Sequence, residues 1–156
     1  MSSDALPYAK SFRDLIVYQK QRQLSREVFR ASKLFPLEEK YSLIDQLRRA
    51  ARSIGAQIAE SRAKRAYERH FISKLTDADA EKMETQHWLE TAKDDGYLPA
   101  AECSRLLGLC EEIGRMLGSM IERAPSFCTS PSLRDDVAGY FCIEPPNSPP
   151  SPTEYS

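Results

Sequence analysis

Residues 46–61 read QLRRAARSIGAQIAES. With Ile44 just upstream, Leu47, Ala51, Ile54 and Ile58 recur at spacings of three and four, the period of an α-helix buried on one side. At about 100° per residue the apolar residues from Leu47 to Ile58 share an arc of about 60°, and Arg48, Arg49 and Arg52 lie within about 100° on roughly the opposite side. This stripe is the clearest periodic signal in the chain. Gly55 is its oddity, since a mid-helix glycine costs roughly 1 kcal/mol relative to alanine and implies close packing or a bend.

Outward from this helix the same period continues. A first helix is predicted from about Asp14 to Lys33 on Val17, Gln21, Leu24, Val28 and Ala31, stopping before Phe35-Pro36 because proline pushes the preceding residue out of the α region. The second begins near Leu37 or Glu38, and a turn is expected around Ser61 to Ala66, where the pattern loosens. A third helix, from about Tyr67 to Lys93, carries Phe71, Leu75, Ala78, Thr85, Leu89 and Ala92, broken by Lys82 at a core-like position. Gly96 suits the left-handed position that ends a helix, and Pro99 suits the first turn of the next. The fourth helix has a near-heptad seam of Cys103, Leu106, Cys110, Ile113, Leu117, Met120 and Ala124.

No segment alternates as a strand does, so the chain is predicted to be all-α, an antiparallel up-down-up-down four-helix bundle. Its expected divisions are a flexible N-terminus over 1–11, the bundle over 12–126, and a Pro/Ser-rich, mostly disordered tail over 127–156. Within that tail VAGYFCI, at 137–143, is a short apolar element able to dock on the bundle or on a partner.

The formal charge of −1 on 156 residues conceals an asymmetry. Residues 125–156 hold Arg134 against Asp135, Asp136, Glu144 and Glu154, leaving the first 124 residues at about +2. No window approaches the roughly 18 to 20 apolar residues that span a bilayer, and MSSDALPYAK has no apolar core for secretion, so the expectation is a cytoplasmic protein without a membrane partner. Cys103, Cys110, Cys128 and Cys142 show no CxxC spacing and are read as unpaired in a reducing compartment.

Charge gathers locally. Residues 46–69 hold Arg48, Arg49, Arg52, Arg62, Lys64, Arg65 and Arg69 against Glu60 and Glu68. Arginines on one helical face can grip phosphates in bidentate fashion, and the loop set Arg62, Lys64 and Arg65 is better placed for it than the mid-helix trio. Against this, residues 77–95 carry seven acids and two lysines and could neutralise the patch across helices or subunits. Glu84 and His87 form one ExxH, whereas a bundle dimetal site needs two with further glutamates, so no metal is expected. No activated cysteine arrangement or glycine-rich phosphate loop appears, which leaves no catalytic residue and no cofactor to assign. Trp88, Tyr18 and Phe29 are read as packing residues.

The stretches SFRDLIVYQKQRQLSREVFRASKLFP, QLRRAARSIGAQIAES and FISKLTDADAEKMETQHWLETAKDDGYL, in that order and spacing, resemble the bacterial four-helix-bundle family of 23S rRNA intervening-sequence proteins. The resemblance runs from about Ser11 to Arg123 and is carried above all by Phe12, Asp14, Leu15, Val17 and Gln19, the Phe35-Pro36 break, Gln46 with Arg48-Arg49-Ala50, Ser53-Ile54, Ile58-Ala59-Glu60, Glu84-Thr85-Gln86 and Gly96-Tyr97-Leu98. Tyr18 stands where many members carry Trp, Gly55 where many carry Pro and Ser61 where many carry Gly. The resemblance implies a cyclic homopentamer. It also implies kinship with accessory proteins of diversity-generating retroelements, whose basic bundle surface meets a reverse transcriptase and nucleic acid. Carried over, that role falls on Arg48, Arg49 and Arg52, while Arg62, Lys64 and Arg65 rest on local charge alone. The expectation is thus a non-catalytic nucleic-acid-binding or reverse-transcriptase accessory protein, or else a structural scaffold whose arginines pair with acids of a neighbouring subunit.

Overall fold

The computed structural model describes residues 9–128. Four long helices, α1 (Ile16–Ser32), α2 (Asp45–Ala63), α3 (Glu68–Asp94) and α4 (Ala100–Glu122), are followed by the single turn α5 (Ala124–Phe127), and no strand occurs among the described residues. Helix α1 packs on α2 and α4, and α3 packs on the same two helices from the other side, so the four close into a bundle. The predicted tail past Cys128 and most of the predicted flexible N-terminus lie outside the described residues.

Each apolar stripe points inward. Leu24 and Val28 of α1, Leu47, Ile54 and Ile58 of α2, Leu75 and Leu89 of α3, and Leu106, Ile113 and Leu117 of α4 are all essentially inaccessible to solvent. Full burial of one such side chain contributes roughly 1.5–3 kcal/mol, so the helices are held by these faces and not by propensity. Phe127 of α5 stacks on Phe71 with ring centroids 6.0 Å apart, fastening the end of the described chain to α3.

The helix boundaries differ from the sequence-based expectation in four places, each with a local cause. Helix α1 starts at Ile16 and not Asp14, because Phe12–Asp14 form a separate 3-10 turn. Asp14 Oδ2 accepts from the Ser11 amide at 3.1 Å, Ser11 Oγ accepts from the Arg13 amide, and the turn exits through an extended Leu15. Entry to α2 is wider than a regular helix: a 3-10 turn at Leu37–Glu39 passes into a π-helical turn at Lys40–Ile44. That extra residue lets adjacent Leu43 and Ile44 both reach the core, which α periodicity from Leu37 does not anticipate. The turn expected from Ser61 begins only at Lys64, since Ser61 is buried and its hydroxyl donates back to the Ile58 carbonyl at 2.6 Å. Pro99 caps α4 from outside, with ψ of 143°, and is not its first helical residue. Gly96 meets the expectation: at φ +79° it closes α3, with its own amide donating to Lys93 O and the Tyr97 amide to Ala92 O.

Of the buried polar side chains the two longest, Gln21 and Lys82, each lie across a glycine of the next helix. Gln21 of α1 is 2 % exposed, donates through Nε2 to the Ala51 carbonyl at 2.7 Å and to Ser25 Oγ at 2.8 Å, and fills the space a Cβ at Gly55 would need. Gly55 is therefore explained by close packing, within a helix that runs unbroken from Asp45 to Ala63. Lys82 of α3 is 9 % exposed, with Nζ 3.0 Å from Asp79 Oδ1 and passing over Gly114 of α4. Nearby, Cys103 and Cys110 are buried, and burial pushes the Cys110 thiol up to about 12, so it stays protonated. No described helix is long and apolar enough to cross a membrane.

Candidate nucleic-acid interface

The three arginines of α2 that the sequence places on one face are divided between two seams of the bundle. Arg49 turns toward α3, where Nη2 donates to Glu84 Oε1 at 2.5 Å and Nη1 stands 3.7 Å from Glu81 Oε2. The hydrogen bond from Arg49 holds the Glu84 carboxyl below its ordinary range, while burial pushes Glu81 up and Arg49 only partly offsets it. The acids of residues 77–95 thus neutralise this part of the patch within the chain.

Arg48 and Arg52 turn the other way, toward α1. Arg48 Nε donates to Ser32 Oγ at 2.7 Å, and its guanidinium lies 4.6 Å from the Phe29 ring centre. Arg52 stands 5.9 Å from the same ring and Lys33 4.6 Å from it. Phe29 is 36 % exposed, so this aromatic is a surface platform for cations and not the core residue that helical spacing suggests.

Beside that platform an open groove of about 520 Å³ runs between α1 and α2. Phe12, Tyr18 and Phe29 supply its aromatic wall, and Arg22, Arg26 and Arg52 its charge, with Gly55, Ala56 and Ala59 as the floor. Small residues on α2 keep the groove open, and the missing Cβ at Gly55 lets Gln21 form its base. Arg22, Arg26, Arg30 and Arg52 make no ion pair among the described residues. Elsewhere some cations are matched, Lys20 with Glu112, Lys74 with Glu60 and Arg105 with Glu27 and Glu102, while Lys93, Arg115 and Arg123 make no ion pair among the described residues. The sequence reading missed Arg22, Arg26 and Arg30, although their spacing of four on a predicted helix marks a common stripe.

The loop set sits apart from this groove. Arg62 Nη2 donates to the Ala9 carbonyl at 2.7 Å, tying the start of the described chain to the end of α2. Arg65 is half-buried, and its Nη1 has no hydrogen-bond partner among the described residues. Lys64 and Arg69 are exposed. Glu84 serves Arg49 and also accepts from Trp88 Nε1 at 3.2 Å, and His87 lies edge-on to Trp88. No group of three metal-ligating side chains is assembled among the described residues.

Comparison with known proteins agrees with this architecture. A solved structure from Bacteroides thetaiotaomicron VPI-5482, described as a protein of unknown function from the S23 ribosomal protein family, is 28 % identical with a TM-score of 0.62. The match covers 68 % of this chain and 98 % of that one. No curated protein matches. The family model for the 23S rRNA-intervening sequence protein matches residues 13–119, the span of the four long helices almost to the end of α4, and the chain belongs to that family.

Proposed function

We propose that this protein is a non-catalytic, homo-oligomeric helical bundle that binds nucleic acid through the face shared by α1 and α2. The observation that carries the reading is the clustering of charge on one groove: Arg22, Arg26 and Arg52 line it together with three aromatic rings, Arg30 continues their stripe on α1, and none of the four makes an ion pair among the described residues. Unpaired arginines keep their full attraction for phosphate, and Phe29 with its stacked cations adds a surface on which an unpaired base can lie. Service as an accessory subunit of a reverse transcriptase is the form of this role that the family resemblance implies, and a homopentamer is its expected assembly.

The test is binding of structured RNA and of single-stranded DNA, followed by fluorescence anisotropy across a salt series. Replacing Arg22, Arg26 and Arg52 together with Ala should weaken binding and flatten the salt dependence, each lost phosphate contact removing about 0.7–0.9 from the log–log slope. Affinity and slope that do not change in this variant would sink the reading. Replacing Arg62, Lys64 and Arg65 with Ala measures the loop set separately, and the smaller loss is expected there.

A second reading, a protein-interaction scaffold, draws on a different feature. Leu34 and Leu37 are each 87 % exposed and Tyr41 is 73 % exposed in the connection from α1 to α2, an apolar cluster at one end of the bundle. If this cluster joins copies of the chain, Leu34→Ser with Leu37→Ser should lower the assembly mass read by light scattering. An unchanged mass would remove the cluster from the subunit interface.

A further inference from the structure

The α1–α2 groove has a second candidate occupant within the same chain. Its lining combines three aromatic rings with Arg22, Arg26 and Arg52, so it suits a segment that is at once acidic and apolar. Residues 135–144 read DDVAGYFCIE, two aspartates and a glutamate bracketing a run with one tyrosine and one phenylalanine. The whole of residues 129–156 is acidic, with Arg134 against Asp135, Asp136, Glu144 and Glu154.

Position favours the same pairing. The described chain ends at Cys128, just after Phe127 packs on Phe71, and Ser126 and Phe127 line a small recess together with Ala9 and Arg62. Arg62 lies at the end of α2, and Ala9 is three residues before Phe12, a lining residue of the groove, so the last described residues lie at the groove's own end. From Cys128 to Asp135 an extended chain reaches about 23 Å at roughly 3.3 Å per residue, against about 16 Å for the rise of α1 from Tyr18 to Phe29. The groove's volume falls within the roughly 300–1,000 Å³ of small-ligand pockets, room for a few side chains of an extended segment.

We propose that residues 135–144 of this chain dock in the α1–α2 groove of the same bundle, their aspartates against Arg22, Arg26 and Arg52 and their aromatic side chains against Phe12, Tyr18 and Phe29. The docking rests on the groove's chemistry and holds whether or not nucleic acid binds there. If it does bind, the segment competes with phosphate for the same arginines.

Disulfide trapping in the full chain tests this, because Cys142 lies inside the segment while Cys103, Cys110 and Cys128 are buried. Ala56→Cys places a thiol on an exposed position of the groove floor; Thr76→Cys places one on the exposed face of α3, five residues from Phe71 and so near the chain's exit. Under a mild oxidant, Ala56→Cys should form an intramolecular bond to Cys142 at least about tenfold faster than Thr76→Cys, since docking raises effective concentration above that of a free tether. The bond should be absent when Cys142→Ser is added, and it should slow when Arg22→Glu and Arg26→Glu are added. Equal rates at the two sites, indifference to the arginine reversals, or a product that is only the covalent dimer would overturn the proposal, the last assigning the groove to the segment of another copy. Hydrogen exchange on the unmodified chain gives an independent reading: amides of 137–143 should be slower than in the isolated peptide, and equal rates count against docking.

Discussion

The α1–α2 and α3–α4 seams solve the same packing problem with opposite chemistry. In both, a long polar side chain crosses a glycine of the next helix, yet Gln21 is neutral and anchored to a backbone carbonyl, whereas Lys82 is charged and anchored to a carboxylate on its own helix. The amide is fixed by its hydrogen bonds to the Ala51 carbonyl and the Ser25 hydroxyl, and all three of its heavy atoms crowd a Cβ at Gly55. The ammonium is held by its tip, and the atom closest to a Cβ at Gly114 is Nζ itself. The first seam is therefore rigid at its base and open above it, and the second can yield outward.

The largest expected effect separates the seams by sign. Gly55→Ala must displace the buried Gln21 amide, a cost of about 1–3 kcal/mol that exceeds the gain in helix propensity of roughly 1 kcal/mol. A Cβ at Gly114 would meet the far end of Lys82, Nζ at 2.8 Å and Cδ at 3.3 Å, and this flexible end can shift outward at small cost, so the propensity gain should dominate and the variant should be more stable than the parent. Urea melts of both variants check this. In a Gln21→Ala background Gly55→Ala should become stabilising, and a penalty that survives there would show that the clash lies elsewhere.

A smaller effect distinguishes the two anchors. Lys82→Met combined with Asp79→Ala removes the ion pair whole and replaces the buried charge with apolar volume, a change that is commonly neutral to stabilising, and a gain of up to about 1 kcal/mol is expected. Gln21→Met loses a satisfied buried hydrogen bond and should cost about 1 kcal/mol. Equal shifts in the two denaturation midpoints would contradict the view that the seams differ in chemistry.

These pairings show what the sequence reveals and what it withholds. Periodicity placed Gln21 on an apolar stripe and marked Gly55 and Lys82 as exceptions, but it treated them singly. Only the packing of α1 on α2 and α3 on α4 makes each polar residue and its glycine one feature, and no single-helix pattern carries that information. The same limit applies to the arginines. Their outward direction was legible, while the division of Arg49 from Arg48 and Arg52 depends on which neighbouring helix holds acids. The stripe of Arg22, Arg26 and Arg30 is legible in its spacing of four, but it holds fewer basic residues than the run from Arg48 to Arg69.

Still smaller is the pH dependence of the α2–α3 seam. Hydrogen bonding to Arg49 lowers the Glu84 pKa on folding, so its contribution is complete above the ordinary value of 4.5 and is lost as pH falls through the folded value. Glu81 acts in reverse: burial raises its pKa, its ionised form costs stability at neutral pH, and acid relieves that cost. Because Arg49 and Glu84 are both substantially exposed, solvent screening holds their pair to less than about 1 kcal/mol. Arg49→Ala should lower stability by that amount at neutral pH, and the gap should close below pH 4.5. A gap that persists in acid would assign the loss to packing of the arginine stem.

The smallest expected change in stability belongs to the α1–α2 face, and there its smallness is informative. Arg52 has no acidic partner among the described residues and touches only the rim of the Phe29 platform, so Arg52→Ala should shift the unfolding free energy by less than about 0.5 kcal/mol. If Arg52 is part of a phosphate-binding face, the same variant weakens nucleic-acid binding while its melt overlays that of the parent. A cation that folding does not use but binding does is the signature of a surface kept for a ligand. Loss of stability in step with loss of binding would instead place Arg52 among the groups that hold α1 to α2, and the groove would then be a by-product of packing.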